Sequence, residues 1–414
     1  MSFQQGLSGL NSASKTLETI GNNISNANTV GFKTSTAKFA DVYASSLSGS
    51  GAGNTGIGTK VSGVSQQFSQ GNVTASSSPL DMGINAGGFF RMSHNGAITY
   101  ARNGQFQLDK SGYIVSANGD RLTGYTANGS GVLSTGSPAD LVINSTDLPP
   151  KTSTSVLAQL NLDSRSTVPV TAPFNPADPT TYNNATSVTV YDGLGNSHVL
   201  QTYYVKSGAN TWDVYGTYND GAATVATVPA VIGTIGFSSA GVINIPVPPL
   251  PATFSTTLTP AAATGAAAFP VSINWTGTTQ FGATFSVNTL SQDGYSSGRL
   301  AGFNTTTDGI ITGRYTNGQS LTLGQVVLAN FRSPNGLQPL GNNTWAETSD
   351  SGLPLVGTPN SGSLGTLQPS SVEDSTVDLT AELVNMITAQ RVYQANAQTI
   401  KTQDQILQTL VNLR

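Results

Sequence analysis

Apolar residues at both ends of the chain recur in alternating steps of four and three. Towards the C-terminus the series is Leu379, Leu383, Met386, Gln390, Tyr393, Ala397, Ile400, Asp404, Leu407 and Val411. At the N-terminus it is Phe3, Leu7, Leu10, Ser14, Leu17, Gly21 and Ile24, with Ala13 and Ile20 widening the stripe by one position. This alternation is the a/d seam of a heptad helix. No Gly or Pro interrupts the C-terminal stretch and good helix formers are frequent in it. Ser375 with Asp378 three residues on resembles a capping box. The pattern predicts helices near 2–28 and 375–414, the second roughly 60 Å long at 1.5 Å per residue. So long a helix with so narrow a seam needs a partner along its length, and the other terminus is the economical one. Two independent helices packed on a globular core are the competing arrangement. Polar or missing side chains at Ser14, Gly21, Gln390 and Asp404 weaken a simple coil but can set register or join neighbouring chains.

Between the ends the period changes. The Asn- and Gly-rich run from Gly21 to Lys33 favours turns and closes the first helix near Asn28. Phe39, Val42, Tyr43 and Leu47 form a short apolar patch at helical spacing, and residues 45–63 are Ser/Gly-rich, the composition of a flexible link. From Pro79 to Ile143 short apolar runs alternate with turns such as His94-Asn95-Gly96 and Asn118-Gly119-Asp120, which predicts consecutive antiparallel hairpins. Pro149-Pro150 and the run Pro169 to Pro179 mark a boundary. Beyond it come a hairpin around Asp192-Gly193-Leu194-Gly195-Asn196, a strand over Trp212 to Tyr218, and a low-charge stretch from Asn244 to Pro270 read as strand plus loop. Near Gln292 the earlier style returns. The expected fold is mainly β with a terminal α-helical coiled coil, nested as four parts. Residues 1–33 pair with 372–414 as a helical inner domain, and 34–76 form a flexible linker. Residues 77–146 with 289–371 make a middle β domain, and 147–288 an inserted barrel- or sandwich-like outer β domain.

Composition narrows the function. Only 9% of the 414 residues are charged, against an average of about 25%. Net charge is −4 with no basic run, so nucleic acid and anionic membranes are poor partners, and no 18-residue apolar span argues for membrane insertion. The absence of cysteine removes disulfides, thiolate metal sites and Cys nucleophiles. His94 and His198 flank hairpin turns and read as solvated turn residues, and neither has the partners of a triad or a metal site. Asp192 and Asn196 lack the later Glu of a calcium loop. The string Gly51-Ala52-Gly53-Asn54-Thr55-Gly56 has neither the strand nor the helix of a dinucleotide site. Glu373, Asp374 and Asp378 read as complements of the helix dipole. No enzyme, cofactor or metal site is expected.

Three long stretches resemble the rod and hook axial proteins of the bacterial flagellum. They are Asn22 to Lys33, including Asn23, Asn26, Asn28, Gly31, Phe32 and Lys33; Asp81 to Phe90 continuing through Tyr100 to Phe106; and Val377 to Ala397. The segment Val190 to His198 followed by Trp212 to Tyr215 resembles the outer domain found in the hook branch of that family, which the shorter rod proteins lack. The resemblance implies a self-assembling helical tube, bendable but stiff in twist, that transmits motor torque to the filament. It implies as partners copies of the same chain, the distal rod protein, the hook cap and the hook-filament junction protein. It further implies passage through the flagellar type III export apparatus without a cleaved signal peptide, to an extracellular place on the basal body. Phe39 with Tyr43 fits a Phe-x-x-x-apolar export element of such subunits. A distal rod protein, and a secreted β-rich carbohydrate-binding or hydrolytic protein, are the alternatives.

Overall fold

The computed structural model describes residues 2–42, 56–144, 146–219, 226–245, 252–260 and 264–412. It is mainly β, with a helix at each end as the sequence leads one to expect: α1 (Ser2–Ser25) and α2 (Leu379–Asn412). The N-cap of α2 is Asp378, whose Oδ1 accepts from Thr380 N at 2.9 Å and Ala381 N at 3.1 Å. Ser375 lies upstream and accepts only from Val377 N, so the expected Ser375–Asp378 box is replaced by one carboxylate that satisfies the helix's free donors.

The linker expected over 34–76 carries regular structure. Two strands, β1 (Ser35–Val42) and β2 (Gly58–Gln66), form an antiparallel ribbon with Ser35 opposite Gln66 and Val42 opposite Gly58. Val73–Ala75 pairs with Ser371–Glu373. Thr36, Val42, Thr59 and Val61, together with cover from α1, favour these two strands, while residues 43–55 lie outside the described residues. Phe39 and Val42 are thus on a strand and not on a helix turn. Tyr43, Leu47 and most of the glycine-rich string 51–56 lie outside the described residues.

The chain divides into two compact units, Met1–Ser145 with Gly302–Arg314 and Ser320–Arg414, and Thr146–Ala301 with Tyr315–Gln319. The first holds the helices and a sheet whose spatial order includes Ser320–Val326, Arg121–Thr126, Phe89–His94, Ala97–Ala101, Thr344–Ala346 and Gln338–Gly341. Strands from the N-terminal flank of the insertion therefore sit between strands from its C-terminal flank in one sheet. Its core is aromatic: Phe68, Phe89, Phe331 and Trp345 meet edge to face at 5.5–5.8 Å. The Trp345 ring N–H donates to Gln66 Oε1 at 2.7 Å and so pins the end of β2.

The second unit packs a five-stranded antiparallel sheet against a four-stranded one. Val156, Ala158 and Leu160 alternate inward from one sheet to meet Val190, Leu200, Tyr204, Trp212, Val214 and Ile235 from the other. The stretch Asn244 to Pro270 contributes Thr253–Leu258 and the start of Phe269–Asn274, which pair antiparallel. His198, expected at a solvated turn, is buried here, with Nε2 3.0 Å from Asp192 Oδ2. The reason is Asp192, which folds the turn around its carboxylate. It accepts from Leu194 N, Asn196 N and Asn196 Nδ2, each at 2.9 Å. His94, in the first unit, keeps its exposure and bonds Asp120 through Nδ1.

Burial pushes the Asp192 carboxyl up, but the Asn196 amide, the His198 ring and two backbone N–H groups outweigh it and hold it at about 2. A carboxylate depressed on folding stabilises above its unfolded pKa, and the gain disappears as pH falls through the folded value. The second unit should therefore lose on the order of 2 kcal/mol between about pH 4 and pH 2 through Asp192. Melting followed by fluorescence of the buried Trp212 and Trp275 should show this loss, and Asp192→Asn should flatten the profile across the same window.

Candidate assembly site

The two terminal helices do pair, but through a face displaced by one position from the predicted seam. On α1 the buried positions are Gly6, Ala13, Thr19, Ile20 and Asn23, and on α2 they are Glu382 and Ala389. A methyl group added at Gly6 would stand 3.1 Å from Ile400 Cγ1, and one at Gly9 would stand 2.6 Å from Asn396 Oδ1. Small residues bring the helices into close approach, and that excludes the larger side chains from the contact. Phe3 (46% exposed) and Leu7 lie outside it, as do Leu379, Leu383 (50%), Tyr393 and Leu407 on α2. Leu10, Leu17 and Ile24, and Met386, Ala397 and Ile400, are half-buried at its edges. The side chain of Val411 lies outside the described residues. Val384, Ile387, Val392 and Ile406 add to the exposed apolar surface of α2.

Against the ribbon, α1 uses polar groups. Gln5 Nε2 donates to Gly56 O at 2.6 Å, Ser8 Oγ accepts from Thr59 N at 3.3 Å, and Ser12 Oγ lies 2.7 Å from Thr59 Oγ1. Between α1, α2 and the ribbon runs a groove of about 570 Å³, lined by Ala13, Ile20, Phe39, Ala389 and Val392 with Glu382.

Beneath the helices lies a buried charge cluster that joins the first two sequence signatures to the segment just ahead of the third. Lys33 Nζ donates to Glu373 Oε1 at 2.7 Å and to Ser69 O at 2.6 Å, and Arg102 approaches Glu373 Oε2 at 3.2 Å and Ala86 O at 3.0 Å. Gly71 N donates to Glu373 Oε1 at 2.8 Å, and Arg102 also lies over the Phe89 ring. Lys33 and Glu373 are fully buried. Burial, and then the neighbouring Arg102 charge, push the Lys33 ammonium down, and Glu373 opposes both; burial likewise lowers Arg102 against the pull of Glu373. Glu373 is therefore a counter-ion and not a helix-dipole acid as expected, because the chain turns inward at Ser371–Glu373 before α2 begins. Asp374 accepts from Thr74 Oγ1, which leaves Asp378 as the acid at the cap.

The other signature residues surround this cluster. Asn23 exchanges two bonds with Ser35, N–H to Oδ1 at 3.0 Å and Nδ2 to O at 2.9 Å, and its amide also donates to Glu382 Oε1 at 3.2 Å. Asn26 accepts from the Thr29 hydroxyl and donates back to Asn22 O, whereas Asn28 is exposed. Gly31 has φ +72° and donates to Glu373 O at 2.7 Å. A Cβ there would lie 2.7 Å from Asn103 N, so glycine is required twice over. Phe32 is buried, and its carbonyl accepts from Thr376 N. Glu373 and Arg102 were not singled out from sequence as site residues. The available signal was that, in a charge-poor chain, Lys33 and Arg102 stand inside the first two signatures and Glu373 just ahead of the third.

Four family descriptions match along the chain: flagella basal body rod protein over 3–33, flagellar hook protein FlgE/F/G D1 domain over 83–173, flagellar basal body protein FlaE D2 domain over 161–295, and flagellar basal body rod FlgEFG protein C-terminal over 368–413. The chain is 43% identical over 420 residues to the flagellar hook protein FlgE of Salmonella typhimurium, covering 100% of both chains. The corresponding figures are 41% over 419 residues for Escherichia coli K12, again 100% of both, and 32% over 451 residues for Borreliella burgdorferi, with 100% and 99% covered. Among solved structures, the Helicobacter pylori flagellar hook protein FlgE2 has a TM-score of 0.55 at 15% identity, covering 72% of this chain and 100% of its own, a likeness of fold.

Removing one member of a buried ion cluster strands the others. Glu373→Ala should destabilise the first unit by about 3–5 kcal/mol in chemical denaturation. Gly9→Val should separate α1 from α2 and lower helical content by far-ultraviolet circular dichroism while the second unit melts unchanged.

Proposed function

The chain belongs to the flagellar hook protein family, and from that premise we propose how its parts make it a structural subunit of the bacterial hook. Copies assemble into a bendable tube that carries motor torque to the filament. The observation that carries this reading is the displaced helix contact. Pairing through glycine and alanine leaves Phe3, Leu7, Leu383, Tyr393 and Leu407 uncovered within one chain. Large apolar side chains in such numbers on two helices are surface for sister copies. Residues 1–33 with 372–414 serve as the inner layer, 77–146 with 289–371 as the middle domain and 147–288 as the outer domain. The ribbon of β1 and β2 takes the place of the flexible linker between inner and middle layers. Its contacts with α1 are hydroxyl and amide bonds that exchange with water at low cost, which suits an interface that must shift as the tube bends.

Its partners at the two ends are the distal rod protein, and the hook cap or hook-filament junction protein. The chain passes through the type III export apparatus without a cleaved signal and works outside the cell. Phe39 lies on β1 in the folded chain, so an export element of Phe39 and Tyr43 is read before folding. The subunit performs no catalysis.

Deleting residues 404–414 removes the exposed seam positions Asp404 and Leu407. The truncated chain should keep the melting of both β units yet form no tubes under the electron microscope in conditions where the full chain does. Tubes of ordinary appearance from the truncated chain would overturn the terminal-coil mechanism.

A further inference from the structure

Among the described residues, the groove between α1, α2 and the ribbon contains one charge with no counter-ion. Glu382 is 8% exposed; its Oε1 accepts from Asn23, and its Oε2 has no partner among the described residues. The N-terminus of α2 supplies some compensating positive potential, but a buried carboxylate with an unfilled oxygen remains costly. Glutamate's terminal torsion is broad, so a small rotation turns Oε2 towards the groove. The same helix carries the complementary defect. Arg391 and Lys401 are exposed, and their side chains form no ion pair or hydrogen bond among the described residues. The other cations in this unit that approach acids are already engaged: Lys15 with Glu18, Lys33 and Arg102 with Glu373, and Arg121 with Asp140. Arg391 lies nine residues beyond Glu382, about 13–14 Å along the axis.

We propose that this groove is a docking site for α2 of a second copy, whose Arg391 guanidinium closes on the free oxygen of Glu382. The proposal rests on the assembly reading above and adds its register. A copy offset along α2 by that nine-residue spacing brings cation to anion, and its apolar residues then meet Phe39, Ile20 and Val392. A guanidinium suits the place because it offers several donors in a fixed plane and holds its charge when desolvated. Since each copy contributes one acid and one cation, the contact is head-to-tail and propagates, as a tube requires.

Charge exchange in trans tests this. Full-length Arg391→Glu and Glu382→Arg chains are prepared separately, with circular dichroism and thermal melting to establish that each monomer is folded. Polymer is then measured by sedimentation at low ionic strength over a range of protein concentrations. Each variant alone places like charges in the groove, and its critical concentration should rise at least tenfold. An equimolar mixture pairs every Glu with an Arg in an alternating polymer and should return to within about threefold of the unmodified chain. Lys401→Glu should assemble normally. If Arg391→Glu assembles as the unmodified chain does, or if folded variants fail to rescue each other, the pairing is wrong while the hook reading stands. If the unmodified chain forms no polymer, the hook reading itself fails.

Discussion

Lys33, Arg102 and Glu373 come from three segments that are far apart in sequence, and the rest of the first unit depends on their meeting in the buried interior. Two cations share one carboxylate, and backbone groups add to it: Gly71 N on Glu373, and the carbonyls of Ser69 and Ala86 on the cations, while Arg102 Nε has no partner among the described residues. Geometry of this kind is unforgiving, because any one member left alone would be an unpaired charge in the interior. The cluster therefore fixes where the chain leaves α1, where the sheet edge passes, and where α2 begins. Gly31, with its left-handed backbone against Asn103, marks how closely these segments are drawn together.

What the cluster fixes, the helices leave adjustable. Charge in this chain is scarce, and its strongest pairing is buried at the base. The helix and ribbon meet instead through Gln5, Ser8, Ser12 and Thr59. Surface ion pairs such as Lys15–Glu18 are short-range and local, worth little in stability. A subunit that must hold its root while its contacts with neighbours shift is well served by this division. The close helix pairing follows the same logic. Glycine at positions 6 and 9 uses up little apolar surface internally and leaves the bulky side chains for association.

Much of the fold could be read from local pattern. The four-three alternation gave both helices, and turn dipeptides such as Asn95-Gly96 gave the hairpins, because these signals come from backbone geometry over a few residues. Two local readings meet a different setting in the structure. The strands 35–42 and 58–66 fall in a stretch that reads as a link from its Ser/Gly-rich part over 45–63, and His198 reads as solvated because it sits beside a turn. Contacts beyond local composition decided both outcomes: α1 covers the ribbon, and the Asp192 carboxylate gathers the turn around the buried His198 ring. The helix seam was misplaced by one position because hydrophobicity marks what wants burial without saying which partner will bury it.

The sequence alone determined the kind of molecule: a β-rich chain with heptad ends, poor in charge, bearing the signatures of an axial flagellar protein. Tertiary structure decided which face of each helix is satisfied within the chain and which is left for a neighbour. It also decided that Glu373 is a buried counter-ion while Glu382, nine residues later, keeps one oxygen unfilled. The physical reason is the same throughout. Period and propensity act along the chain and are written in it, whereas the pairing of charges and the exclusion of water depend on segments that meet only after folding.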